Sequence, residues 1–177
     1  MLLDNKNSNP IIEIIDFLGL FAPYLLFVFS CILLWYKPFY LVYYIIGYGF
    51  NILLNIILKI TIQDIRPSED PKLINIAKNN GKNISYDVYG MPSGHAQLSF
   101  YSTVFIYLVF KNIYLTLFYF VISLLTLHHR VQNKKHTVLQ VFIGSFVGIT
   151  VSYFIYEMTK KNISGKWNKK KDDYALN

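Results

Sequence analysis

Five stretches of this chain are too apolar and too long for the rest of it to cover. Residues 17–36, 39–58, 92–110, 113–127 and 137–156 contain no Asp, Glu, Lys or Arg. Runs of about 20 such residues are what a bilayer demands of a crossing helix, because backbone polar groups in hydrocarbon must be satisfied within the segment. The rest of the composition agrees: of 177 residues, 54% are hydrophobic and only 15% charged. Soluble domains carry about 25% charged residues. The fold class expected is therefore all-α, a polytopic membrane helical bundle with about five transmembrane helices.

The connections fit that plan. Trp35 and Tyr36 end the first run as interfacial anchors, and Lys37-Pro38 forces a tight turn. The fourth run spans only about 22 Å at 1.5 Å per residue, so snorkelling by Lys111 and local thinning must complete it. Residues 67–90 are polar and punctuated by Pro71, Asn79-Asn80-Gly81 and Asn83, which predicts a surface loop or a short amphipathic cap. Gly144 and Gly148 form a small-xxx-small pair that suits close helix packing. The organisation expected is a polar segment over 1–16, one membrane-embedded domain over 17–158 and a basic tail over 159–177. Met1 to Asn9 lack the basic start and cleavage site of a removable signal, so the first span is expected to stay.

The net charge of +7 sits largely in Lys160, Lys161, Lys166, Lys169, Lys170 and Lys171. Such a tail reads as a cytoplasmic membrane flank or a solvated end, and nucleic acid is not an expected partner. Cys31 is the sole cysteine, so neither an internal disulfide nor a cysteine metal site can form.

Against this apolar background, polar groups gather at three span edges: Lys59 with Arg66-Pro67, Pro92-Ser93-Gly94-His95, and Arg130 with His136. Counting one crossing per span brings all three to the same membrane face. The lysines and arginines left over favour a cytoplasmic tail, hence an extracytoplasmic or lumenal site. Asn83-Ile84-Ser85 would be a glycosylation acceptor on a eukaryotic lumenal face.

Each stretch has a bland reading beside a chemical one. Lys59 and Arg66 are seven apart and share a face if the helix continues, a pairing that suits phosphate oxygens; a basic helix flank looks the same. Ser93 is a good helix cap and Gly94 lets its amide approach an anion at a helix N-terminus; His95 beside them is either a proton donor or an interfacial residue. Gln140, four residues after His136, can accept from one ring nitrogen and leave the other free to attack, unless His136 merely caps the span. His128 and His129 are adjacent and cannot both face one ligand, so no metal site is expected.

In this order, Lys-x6-Arg-Pro, Pro-Ser-Gly-His and Arg-x5-His resemble the three signature motifs of the type 2 phosphatidic acid phosphatase superfamily. The resemblance covers about residues 50 to 150. It implies a core like that of the vanadium haloperoxidases and a lipid phosphatase needing no metal or other cofactor. It further implies that His136 becomes the phosphohistidine, that His95 protonates the leaving group, and that Lys59, Arg66, Arg130 and the Ser93-Gly94 backbone hold the phosphate. The family core commonly has six spans, so a core lacking the first is expected. Two positions depart from the pattern: His129 stands where serine is usual, and Gln140 where the family has aspartate. Yet His136-Thr137, Gln140-Val141, Tyr89-Gly90-Met91-Pro92-Ser93 and Gln97 are similar to the dolichyl-diphosphatase branch. That branch implies a polyprenyl diphosphate substrate and a lumenal site in the endoplasmic reticulum membrane. A phosphatidic acid or other lipid monoester phosphatase, and an inactive membrane scaffold of the same fold, are the alternatives.

Overall fold

A computed structural model of the chain describes residues 10–175, with side chains over 13–164. Six α-helices follow in order: α1 Pro10–Leu34, α2 Pro38–Ile62, α3 Pro71–Asn79, α4 Gly94–Phe110, α5 Ile113–Gln132 and α6 Val138–Ala175, with a 3₁₀ turn Tyr86–Val88 before α4. Among the described residues four helices are long and apolar enough to cross a membrane: Glu13–Leu34, Pro38–Ile62, Ile113–Gln132 and Val138–Ser164. The third expected span, α4, has 17 residues and is about 25 Å long. It is the hub of the bundle, packed against α1, α2, α5 and above all α6.

That central place explains its composition. Ala96, Gln97, Ser99, Tyr101, Ser102, Thr103 and Phe105 of α4 are all buried, so small and polar residues line a helix with neighbours on every side. Around it an aromatic core forms from Tyr44, Tyr48, Tyr101, Phe105 and Tyr119. The phenol of Tyr44 pairs with Ser102 Oγ at 2.7 Å, Tyr101 donates to the Tyr44 carbonyl at 2.9 Å, and Tyr119 pairs with Ser30 Oγ at 3.0 Å. Buried phenols without partners would cost about 1–3 kcal/mol each, so these bonds keep the aromatic core affordable within a membrane. The outer faces are the reverse: Phe17, Val28, Ile32, Leu53, Ile57, Phe142, Phe146 and Phe154 are exposed, as a lipid-facing surface must be.

Gly144 and Gly148 show the packing expected of them. A Cβ at Gly144 would lie 2.5 Å from the Ser93 carbonyl oxygen, and one at Gly148 would meet the Gln97 backbone. The pair therefore seats α6 directly on the first turns of α4.

Several boundaries differ from the sequence expectation. Nothing after Lys59 breaks a helix, so α2 runs to Ile62 and closes at Gln63 in the left-handed region, φ 54°. Consequently Arg66 does not share a helical face with Lys59. Pro67 instead favours an extended Arg66, and the segment forms an isolated antiparallel bridge, Ile65 with Tyr89. The fourth span is 20 residues, not 15, because His128, His129 and Arg130 continue it into a last turn where cations suit the helix dipole. The 67–90 connection holds the short cap α3, begun by Asp70 accepting from the Lys72 amide at 2.8 Å. Helix α6 runs past residue 158 unbroken, and Lys166, Lys169, Lys170 and Lys171 lie outside the residues with described side chains.

Candidate active site

At one end of the bundle the three polar stretches meet in a single cavity of about 210 Å³. Lys59, Arg66, Gly94, His95, Arg130 and His136 line it together. Each arrives by a different device. Lys59 extends from the last turn of α2. Arg66 comes from the bridged segment, its amide bonded to the Val88 carbonyl at 3.1 Å, and its guanidinium lies 3.7 Å from Asp87. Gly94 opens α4, with His95 next in the first turn.

The third motif owes its spacing to a tight chain reversal. After α5 ends, Lys134 takes the left-handed conformation at φ 51°, and the amides of Lys135 and His136 both donate to the Arg130 carbonyl, at 3.0 and 3.1 Å. Five intervening residues are what this turn needs to bring the His136 ring back beside the Arg130 side chain.

Electrostatically the cavity is unbalanced. Lys59 and Arg130 are only 4% and 7% exposed, yet Asp87 is the sole carboxylate among the lining residues. Burying unpaired cations costs several kcal/mol each, so an anion is the natural occupant. Arg130 Nε, buried and without a partner among the described residues, is a donor left open for one.

His136, 2% exposed, is held in a defined tautomer. Thr137 and Gln140 form a reciprocal capping box at the start of α6: the Gln140 amide donates to Thr137 Oγ1 at 3.1 Å, and the Thr137 amide donates to Gln140 Oε1 at 3.1 Å. On its other side the Gln140 Nε2 donates to Asp64 Oδ2 at 2.7 Å and to the Ile65 carbonyl at 3.2 Å. Both sets of partners fix which end of the amide is oxygen. The His136 Nδ1, 3.2 Å from that oxygen, must then carry the proton, leaving Nε2 with its lone pair. Burial pushes the His136 pKa down to about 3; Arg130, Arg66 and Lys59 push the same way, and the Gln140 hydrogen bond opposes them. The ring is therefore neutral at physiological pH.

His95 faces α1: its ring meets Tyr24 edge-on with centroids 6.5 Å apart. Behind it, Asn55 Nδ2 donates to the Pro92 carbonyl at 3.1 Å and to Gln97 Oε1 at 2.7 Å, while Gln97 Nε2 donates to the Asn51 carbonyl at 2.9 Å. These buried amides clamp α2 to the first turn of α4. A Cβ at Gly94 would sit 3.1 Å from Asn55 Oδ1, so glycine allows the close fit.

Ser93 and Gln140 do not line the cavity. Ser93 is fully buried, its amide is already donated to the Gln140 carbonyl at 3.0 Å, and its hydroxyl makes no capping bond. Its work is to dock α4 on α6. Gln140 stands behind His136. Tyr24, Asn55, Asp64 and Asp87 were not singled out by the sequence, and Thr137 only as the neighbour of His136. Thr137-x-x-Gln140 is a readable capping-box signature; Asp64 and Asp87 carry none, since pairing across the 67–90 connection brings them in. Beside these polar groups the cavity wall is largely apolar, with Pro23 and Tyr24 from α1, Ile52 and Ile56 from α2, and Leu98 from α4.

Fold and cavity together define a polytopic helical membrane protein with a buried, cationic anion site that opens onto apolar walls. The family model described as the PAP2 superfamily matches residues 40–164, well over half of the chain, and the chain belongs to that superfamily. Membership in this phosphatase superfamily supports a membrane-embedded hydrolase acting on a lipid phosphate group. No curated protein and no solved structure gives a significant match.

Proposed function

We propose that this chain removes the terminal phosphate of a polyprenyl diphosphate, of the dolichyl type, through a phosphohistidine formed on His136. One observation carries the reading: two imidazoles and three cations from separate motifs share a cavity that apolar side chains also line. The polar groups suit a phosphate and the apolar ones an isoprenoid.

In the first step His136 Nε2 attacks the terminal phosphorus. A nitrogen–phosphorus bond forms as the bond to the bridging oxygen breaks, and His95, entering this step as the imidazolium beside the bound phosphate, gives that oxygen its proton. Water then attacks the phosphorus: an oxygen–phosphorus bond forms as the nitrogen–phosphorus bond breaks, water's proton passes to His95, and inorganic phosphate leaves a neutral His136. Lys59, Arg66 and Arg130 hold the phosphate oxygens and offset the charge that develops on them. The Gly94 amide, at the N-terminus of α4, adds a backbone donor; the Ser93 amide is committed to Gln140. The diphosphate specificity rests on the likeness of His136-Thr137…Gln140-Val141 to the dolichyl-diphosphatase branch, and an endoplasmic reticulum, lumen-facing site on the lysine and arginine bias.

The test is phosphate release by purified, detergent-solubilised protein from dolichyl diphosphate, undecaprenyl diphosphate and phosphatidic acid in excess EDTA. Turnover of the diphosphates, abolished in His136→Ala, is expected. Preference for phosphatidic acid would reassign the substrate, and full activity in His136→Ala would remove the mechanism. Binding without turnover of any lipid would favour a scaffold, the reading that Gln140 motivates.

A further inference from the structure

Gln140 leaves His136 without a carboxylate in direct contact, yet one stands a single side chain away. The chain of contacts runs from Asp64 Oδ2 to Gln140 Nε2 at 2.7 Å, and from Gln140 Oε1 to His136 Nδ1 at 3.2 Å. Gln140 is fully buried between them. Asp64 is itself held, its backbone carbonyl accepting from the Gly90 amide at 2.6 Å beside the Ile65–Tyr89 bridge. Gly90 also packs on the relay: a Cβ there would lie 2.6 Å from both Cδ and Nε2 of Gln140. The amide is thus pinned by Thr137, Ile65, Asp64 and Gly90 in the one orientation that faces oxygen to the imidazole.

We propose that Asp64 is a positioning residue for His136, acting through the Gln140 amide. The inference rests on His136 being the nucleophile. When Nε2 takes a phosphoryl group, the ring that keeps its Nδ1 proton becomes cationic. A carboxylate drawing on the amide N–H raises the negative charge on the far oxygen, because hydrogen bonds in a chain polarise one another in a low-dielectric interior. Asp64 and Gln140 together then do what one carboxylate touching the ring would do: they fix the tautomer and stabilise the imidazolium. No bond is made or broken in the relay, and the Nδ1 proton stays on His136.

The experiment uses the full chain in detergent. Asp64→Asn keeps the shape and removes the charge; kcat should fall on the order of ten- to a hundredfold with KM nearly unchanged, the scale of one charge-assisted hydrogen bond. In the double variant Asp64→Asn with Gln140→Asp the carboxylate moves next to the ring, and kcat should recover most of that loss. Full activity in Asp64→Asn overturns the proposal, and so does a loss that Gln140→Asp fails to restore, which would mark Asp64 as merely structural. Failure of the nucleophile reading shows separately, as activity surviving in His136→Ala or as no turnover by the wild type. In either case proton NMR of the His136 Nδ1–H still decides: its resonance should move upfield in Asp64→Asn, and an unmoved resonance overturns the relay.

Discussion

Replacing Arg130 by methionine should make the protein more stable and unable to hold phosphate. Arg130 is 7% exposed, its Nε has no partner among the described residues, and Lys59 and Arg66 line the same cavity. Exchanging a buried ion pair for apolar side chains is worth up to about 1–4 kcal/mol, and the same scale is taken for this unpaired cation. Against this stands the favourable placement of a cation in the last turn of α5, about 0.3–1 kcal/mol. The two bonds from Lys135 and His136 to the Arg130 carbonyl are backbone bonds and survive the exchange. Desolvation outweighs the dipole over most of these ranges, leaving a net gain of about 0–3.7 kcal/mol.

For a chain of this length each kcal/mol moves Tm by about 2–4 °C, so Arg130→Met should melt a few degrees above wild type in detergent without ligand. Adding inorganic phosphate should reverse the order. A ligand at 100 times its Kd stabilises the wild type by about 2.7 kcal/mol, and the variant should gain little. Thermal melts of both proteins across a phosphate titration read both halves. A variant that melts well below wild type without phosphate would refute the reasoning, since Arg130 would then be a structural cation with a partner. Equal phosphate shifts in the two proteins would refute it independently.

Other perturbations reach other parts of the site. His136 has a folded pKa of about 3 against an ordinary 6.5, so the unfolded chain binds the extra proton between those values. Its contribution to stability is complete above about 6.5 and is lost as pH falls towards 3; denaturation midpoints at pH 7.5 and pH 5 should differ less in His136→Asn than in wild type. Gly148→Ala should cost about 1–3 kcal/mol, because its Cβ would lie 2.9 Å from the Gln97 carbonyl carbon and 3.1 Å from the Tyr101 amide, both backbone; a thermal melt in detergent measures it. Thr137→Val breaks the capping box and should cost about 1 kcal/mol. The Thr137 backbone N–H still donates to Gln140 Oε1 in this variant, so phosphatase activity should stay near that of the wild type.

What could be read from the residues, and what could not, divides along physical lines. Apolar runs announce helices because a bilayer admits little else, and the glycine spacing of α6 announced its packing for a similar reason. The meeting of Lys59, His95, Arg130 and His136 followed from counting crossings, a topological argument that needs no side-chain detail. Helix ends were less readable. Apolarity stops at the headgroup boundary while hydrogen bonding continues, so α2 and α5 ran on through charged residues. That continuation moved Arg66 off the helix and onto the extended segment that pairs with Tyr89. Asp64 escaped notice because its partner is 76 residues away and its meaning depends on that pairing.

Gln140 acquires its significance from the same pairing. A glutamine four residues after a reactive histidine is a weak substitute for aspartate if the amide stands alone, since it brings no charge. Here the amide is a spacer between the imidazole and a carboxylate supplied by the segment after α2. That segment also carries Arg66 into the cavity, so the extended stretch beyond Gln63 delivers a cation to the front of the site and an anion to its back. Moving the carboxylate one side chain away from His136 keeps it out of the cavity, where it would otherwise repel a phosphate. The arrangement leaves Lys59, Arg66 and Arg130 opposed only by the exposed Asp87, and an incoming anion meets a nearly undiluted positive field.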